Sequence, residues 1–109
     1  MRVINSYGKT IVDNLKIALS VTERTKGLIG ALEPFPLLIR TRWGIHTFGV
    51  KFPLDIVILD NEYRIRSLRP SLVPRRIFFW NPKFSIVIEL PDGAIKKSDL
   101  KVGNQLVLE

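Results

Sequence analysis

The residues best equipped for chemistry are concentrated in one stretch, Ile45–Asp60, which reads IHTFGVKFPLDIVILD. It holds the only histidine of the chain, His46, and an aspartate, Asp55, that could meet it across the turn from Thr47 to Pro53. An imidazole titrates near neutral pH and can act as acid, base or metal ligand, and a carboxylate beside it would orient the ring. Both residues also have a plainer reading. His46 can be a hydrogen-bonded structural residue, and an aspartate at a strand entrance commonly caps backbone amides or pairs with an arginine. A metal site is not expected, because with one histidine and no cysteine zinc would need several carboxylates around a single imidazole. No Walker or Rossmann glycine pattern is present, a lone histidine supports no Ser-His-Asp arrangement, and no cofactor is implied.

Cations form the second chemical feature. Arg40-Thr41-Arg42-Trp43-Gly44 places two guanidinium groups beside an indole, either as a stacking and phosphate-contact surface or as an aromatic closing one end of a barrel under its arginine stems. The second alternative is the preferred one. Arg64, Arg66, Arg69, Arg75 and Arg76 make the densest basic patch, suited to a polyanion, an acidic ligand or an intramolecular carboxylate. Arg24 could hold a carboxylate such as Asp55 bidentately, or be an exposed helix arginine.

Several elements must position these groups. Ile56-Val57-Ile58-Leu59 is an apolar, β-branched run bounded by Pro53 and Asp60-Asn61, the pattern of a central strand covered on both faces. Pro53 delays the strand's start and leaves Asp55 near its entrance. Asp60-Asn61-Glu62 then turns the chain into a hairpin with Tyr63–Leu68. Pro70 and Pro74 stiffen a loop from Leu68 to Arg76, expected to lie near the His46 turn. Ile77-Phe78-Phe79-Trp80 is apolar on both parities and reads as buried, with a contact surface as the alternative. Further strands are expected at Arg2–Asn5, Ile11–Val12, Leu15–Leu19, Leu37–Ile39, Phe84–Leu90 and Gln105–Leu108. Short helices are expected after the capping-box spacing Ser20-Val21-Thr22-Glu23 and over Ala94–Leu100.

The central stretch resembles the signature of DUF192, a bacterial and archaeal family of small domains. Three further blocks are similar in order and spacing: Glu23–Gly30, Leu68-Arg69-Pro70 through Pro74-Arg75, and Val87–Gly93 through Lys101–Asn104. The resemblance covers nearly the whole chain. It implies a compact β-rich domain and carries no assigned activity. Ile29 and Val50 stand where the family usually has methionine, and Asn104 where aspartate is common, so no thioether is present at those two places.

Length bounds the rest. A chain of 109 residues can build one core, so residues 1–109 are read as a single domain. Zero cysteines exclude disulfides and thiolate nucleophiles and suit a reducing compartment. The N-terminus has no signal-like apolar region and no span reaches membrane-crossing length, so a soluble cytoplasmic protein with no membrane partner is expected. Net charge is +7 with a pI near 10.2. With the basic residues scattered apart from local clusters, a solubilising surface is the first reading of that charge and a functional basic face the second; high lysine and arginine content also fits a hot environment.

The expected architecture is mainly β (α+β): a compact, barrel-like domain of about eight strands with one or two short helices. The leading functional expectation is a noncatalytic accessory domain binding a small or anionic ligand in a pocket lined by Trp43, His46, Thr47, Asp55, Arg24, Arg69 and Arg75. The alternative is a nucleic-acid-binding protein using Arg40, Arg42, Arg64, Arg66 and Arg76 with nearby aromatics. A third is an enzyme with His46 as acid or base and Asp55 or Arg24 orienting it. Oligomeric state is open, a monomer or a homo-oligomer.

Overall fold

A computed structural model describes residues 1–19 and 27–109. The capping-box helix after Ser20 and the position of Arg24 lie outside the described residues. Among the described residues there are ten strands in three sheets, and one short helix.

The five-stranded sheet is the middle layer. Its members are β3 (Lys16–Ile17), β4 (Leu37–Arg40), β6 (Leu54–Leu59), β7 (Ile65–Leu72) and β9 (Ile86–Pro91), in the order β3-β4-β9-β6-β7. Only the β3–β4 pair is parallel. All six residues of β6 are buried, because both faces of the sheet are covered. On one face Leu38, Val57, Leu59, Ile86, Ile88 and Leu90 pack with Val3, Leu106, Ile95 and Leu100. Those partners come from a three-stranded sheet, β1 (Val3–Asn5), β2 (Thr10–Val12) and β10 (Leu106–Leu108), and from helix α1 (Ala94–Lys97) with the turn after it. On the other face Leu37, Ile39, Leu54, Ile56, Ile58 and Val87 pack with Leu28 and Val50. The third sheet, β5 (Gly44–His46) paired with β8 (Ile77–Phe79), lies over this second core through Ile45 and Phe78. The domain is therefore mainly β and layered, and none of the three sheets closes into a barrel.

Two expectations are corrected by the strand pairing. The segment from Leu68 is not a loop as far as Arg76, since β7 continues through Pro70 to Leu72. The missing proline N–H costs nothing there because β7 is an edge strand. Leu54 pairs with Leu72 but Ile56 pairs with Arg69, so Pro70 and Ser71 together oppose Asp55 in a bulge, with Ser71 at φ 52°. Ile77–Trp80 is not buried throughout. Phe78 and Trp80 pack inward, with Trp80 Nε1 donating to the Phe84 carbonyl at 2.7 Å, whereas Ile77 and Phe79 face solvent.

The β6–β7 hairpin forms as expected. Asp60 accepts from the Glu62 and Arg64 amides and from Arg66 Nε at 2.9, 3.0 and 2.9 Å. Desolvation pushes its carboxyl up, but these hydrogen bonds and the Arg66 charge together outweigh it and hold the group below its ordinary value. No helix among the described residues is long and apolar enough to cross a membrane.

Candidate functional site

Thr47 gathers the central motif and the arginine loop. It is fully buried, and its Oγ1 donates to the Val73 carbonyl at 2.7 Å while accepting from the Arg76 amide at 2.9 Å. Its own N–H donates to the Arg76 carbonyl at 2.8 Å, and the Arg75 amide donates to the Thr47 carbonyl at 3.3 Å. Four hydrogen bonds thus clamp residues 73–76 against the start of the His46 turn, and the register continues with His46 opposite Ile77.

Asp55 goes elsewhere. Its alternation with Val57 and Leu59 points it to the α1 side of the sheet, where it is buried. Oδ1 accepts from the Ser71 amide of the bulge at 2.9 Å and Oδ2 from the Ile95 amide of α1 at 2.8 Å. His46 is exposed on β5, and its Nδ1 accepts from the Phe48 amide at 3.2 Å. The two side chains are therefore not hydrogen-bonded to each other, because Asp55 is buried on the α1 side with both oxygens bonded to backbone amides, whereas His46 is exposed on β5. Both Asp55 oxygens have backbone donors. Among the described residues of the expected pocket, Thr47 and Asp55 are enclosed and bonded within the fold, whereas Trp43 and His46 are exposed.

What the motif builds instead is an exposed leaf. On the solvent side of β5–β8 stand Gly44, His46, Ile77 and Phe79, with Ile77 56% and Phe79 69% exposed. The Phe79 ring is laid across Gly44, and the His46 and Phe48 rings are 5.8 Å apart. Phe48 is 50% exposed and Trp43, just before β5, is 67% exposed. Trp43 does not close a barrel end under arginine stems. It sits at φ 77° and Arg75 at φ 63°, a backbone region that bulky L residues enter at a cost of about 1–3 kcal/mol and that is found disproportionately at functional sites. A solvent-facing strand pair carrying this much apolar ring surface is unusual for a domain with two well-filled cores.

Cations surround the leaf. Arg42 donates to the Pro82 carbonyl at 3.2 Å, placing it beside Lys83 at the Trp43 end, and Arg75 and Arg76 flank the His46 end. Arg40 and Lys51 are exposed at the two ends of the same chain segment. Segments 40–52 and 73–84 contain six lysines and arginines and no aspartate or glutamate, leaving eleven cations against ten carboxylates in the rest of the chain. Six of the seven net positive charges therefore lie in the two segments that contain β5 and β8, Arg40 at the end of β4 and the rest in or beside the leaf strands and their connecting turns. Arg64, Arg66 and Arg69 do not contribute to it in the same way: Arg64 donates to the Gly103 carbonyl, Arg66 pairs with Asp60 and lies over the Phe84 ring, and Arg69 donates to the Pro70 carbonyl. The absence of carboxylates from the two segments was readable in the sequence, whereas the outward aim of Phe48, Ile77 and Phe79 was not.

A second feature had no sequence signal. Lys16, Gly27, Ile29, Gly30, Ala31, Phe35 and Leu37 line a cavity of about 290 Å³, tied to the motif by the Gly30 amide donating to the Gly49 carbonyl at 3.1 Å. Near its Gly27 wall lies Glu89 of β9, paired across the sheet with Leu37 and Ile56 and facing the second core. Burial pushes its carboxyl up to about 7, and Oε1 has no hydrogen-bond partner among the described residues. No group of three or more metal-ligating side chains occurs among the described residues.

Fold and surface together define a small layered β domain whose most distinctive exposed feature is an aromatic, cationic strand pair. The chain belongs to the DUF192 family, described as an uncharacterized ACR, whose model matches residues 3–108. Two solved structures share the fold. A Sinorhizobium meliloti 1021 protein described as a "putative transcription regulator" superposes with a TM-score of 0.84 at 21% identity, over 97% of this chain and 89% of that one. A protein of unknown function from Novosphingobium aromaticivorans DSM 12444 superposes with a TM-score of 0.82 at 18% identity, over 98% and 82%. At these identities the likeness concerns the fold alone. No curated protein matches the chain.

Proposed function

We propose that the domain is a noncatalytic anion-binding module that works through the β5–β8 leaf rather than through an enclosed pocket. The observation that carries this reading is the segregation of charge: six cations and no carboxylate in segments 40–52 and 73–84, against near-neutrality elsewhere. A surface evolved only for solubility would intersperse both signs. A one-signed patch raises local anion concentration and speeds encounter, and it suits an extended polyanion better than a small ligand because the cations are spread along both strands and their flanks. An acid–base role for His46 has little support, since the carboxylate expected to orient it is spent on Ser71 and Ile95. The description of the Sinorhizobium meliloti protein is compatible with a polyanionic partner and adds no more than that.

The test compares two charge reversals of equal size. Heparin, polyphosphate and labelled oligonucleotides are titrated over a salt series against the native protein, Arg75→Glu/Arg76→Glu on the leaf, and Lys96→Glu/Lys97→Glu on α1. The expected result is binding that falls steeply with salt, weakened about tenfold or more by the leaf pair and little by the helix pair. Equal losses from both pairs would reduce the effect to net charge, and no binding at low salt would end the proposal.

A further inference from the structure

We infer that the anion is single-stranded nucleic acid, with bases stacked on the exposed rings of Trp43 and Phe79 while the flanking arginines and lysines hold its phosphates. This rests on the leaf being the anion-binding face, and it follows from a feature that charge alone does not require. A site for sulfated sugar or polyphosphate needs cations and hydrogen-bond donors. It has no use for a half-exposed row of aromatic rings, which loses by facing water.

The Phe79 ring is held in place. A Cβ at Gly44 would stand 2.7 Å from Phe79 Cδ1 and 3.2 Å from Cε1, so glycine there lets the phenyl group settle across strand β5. One side of the ring rests on the backbone while 69% of the residue remains open to solvent. Trp43 precedes that glycine, and its carbonyl accepts from the Trp80 amide at 3.0 Å, which ties its backbone to the strand pair while the residue stays 67% exposed. At the other end Phe48 packs against His46. A ring seated as Phe79 is binds a base at low conformational cost, and base–aromatic stacking tolerates any sequence.

Other occupants fit less well. A second copy of the chain would bring two leaves together, each drawn from segments rich in cations and with no carboxylate to offset them. Duplex DNA is read by a helix or ribbon that enters a groove, whereas β5–β8 lies flat on the core through Ile45 and Phe78 and has nothing to insert. Unpaired bases, by contrast, can splay onto a flat platform.

Fluorescence anisotropy with labelled single-stranded DNA and RNA, the matched duplex, and polyphosphate as competitor provides the test, alongside vesicles containing anionic lipid. The inference expects single strands to bind about tenfold or more tightly than duplex at equal salt. It also expects Trp43→Ala and Phe79→Ala each to weaken that binding about fivefold or more while leaving its salt dependence unchanged, with Trp43→Phe and Phe79→Tyr restoring most of it. Arg75→Glu/Arg76→Glu should lower both affinity and salt slope. Melting temperatures of the exposed-site variants report whether they fold. If polyphosphate and duplex bind as well as single strands and the ring variants behave as native, base stacking is overturned while the anion-binding face stands. If vesicles bind more tightly than oligonucleotides, the face belongs to a membrane surface and the inference fails. If no polyanion binds, both readings fall together.

Discussion

The Phe79 ring and the Gly44 backbone occupy the same space that a Cβ at position 44 would need: such an atom would be 2.7 Å from both Phe79 Cδ1 and the Phe78 carbonyl oxygen. The ring could swing away, but the carbonyl belongs to the paired strand and could not. Gly44→Ala is therefore expected to open the β5–β8 pair, costing about 2 kcal/mol and the binding function of the leaf together. Chemical denaturation and the anisotropy assay would check this, and an unchanged midpoint would refute it.

Thr47 is expected to matter through its hydroxyl rather than its shape. Thr47→Val keeps the volume but strands the Arg76 amide, now bonded to Oγ1 at 2.9 Å. A loss of about 1–2 kcal/mol is expected, with faster amide exchange at Arg75 and Arg76 and little change at α1.

Asp55 joins three elements from one buried position: β6 on which it sits, the β7 bulge at Ser71 and the first turn of α1 at Ile95. Asp55→Ala leaves two amides without acceptors and is expected to cost about 3 kcal/mol or more. Asp55→Asn, which keeps one acceptor oxygen but turns an N–H toward the other amide, should lose a similar amount. A mild effect from either would show that water replaces the carboxylate.

Glu89 should leave a signature in pH dependence. Its folded value, about 7, lies above the ordinary 4.5, so the folded state holds the proton more tightly than the unfolded chain does. Stability contributed by the neutral carboxyl is fully present below about pH 4.5, falls as pH rises through the interval to about 7, and levels off above it, a decline on the order of 3 kcal/mol. Glu89→Gln should remove that slope and be more stable than the native protein above neutrality. Urea midpoints measured from pH 4 to 8 decide the matter, and parallel profiles for the two proteins would contradict it.

Local sequence already determined much of this protein. The unbroken apolar run Ile56–Leu59 required cover on both faces, Pro53 set where the strand could begin, Asp60-Asn61-Glu62 specified a turn, and Leu-Pro-Asp-Gly ended β9, because periodicity, proline geometry and turn chemistry act between near neighbours. The block pattern likewise carried the family. Parity within Ile77–Trp80 was not legible, since four apolar residues in a row give no period, and only pairing with β5 sends Ile77 and Phe79 outward. Only tertiary structure decided that Asp55 turns to α1 and not to His46, that Pro70 falls in an edge strand, that Glu89 is enclosed, and that β5 and β8 pair with Phe79 and Ile77 turned to solvent. Each of these depends on which distant segments meet, and a chain read in one dimension contains the partners but not the meeting.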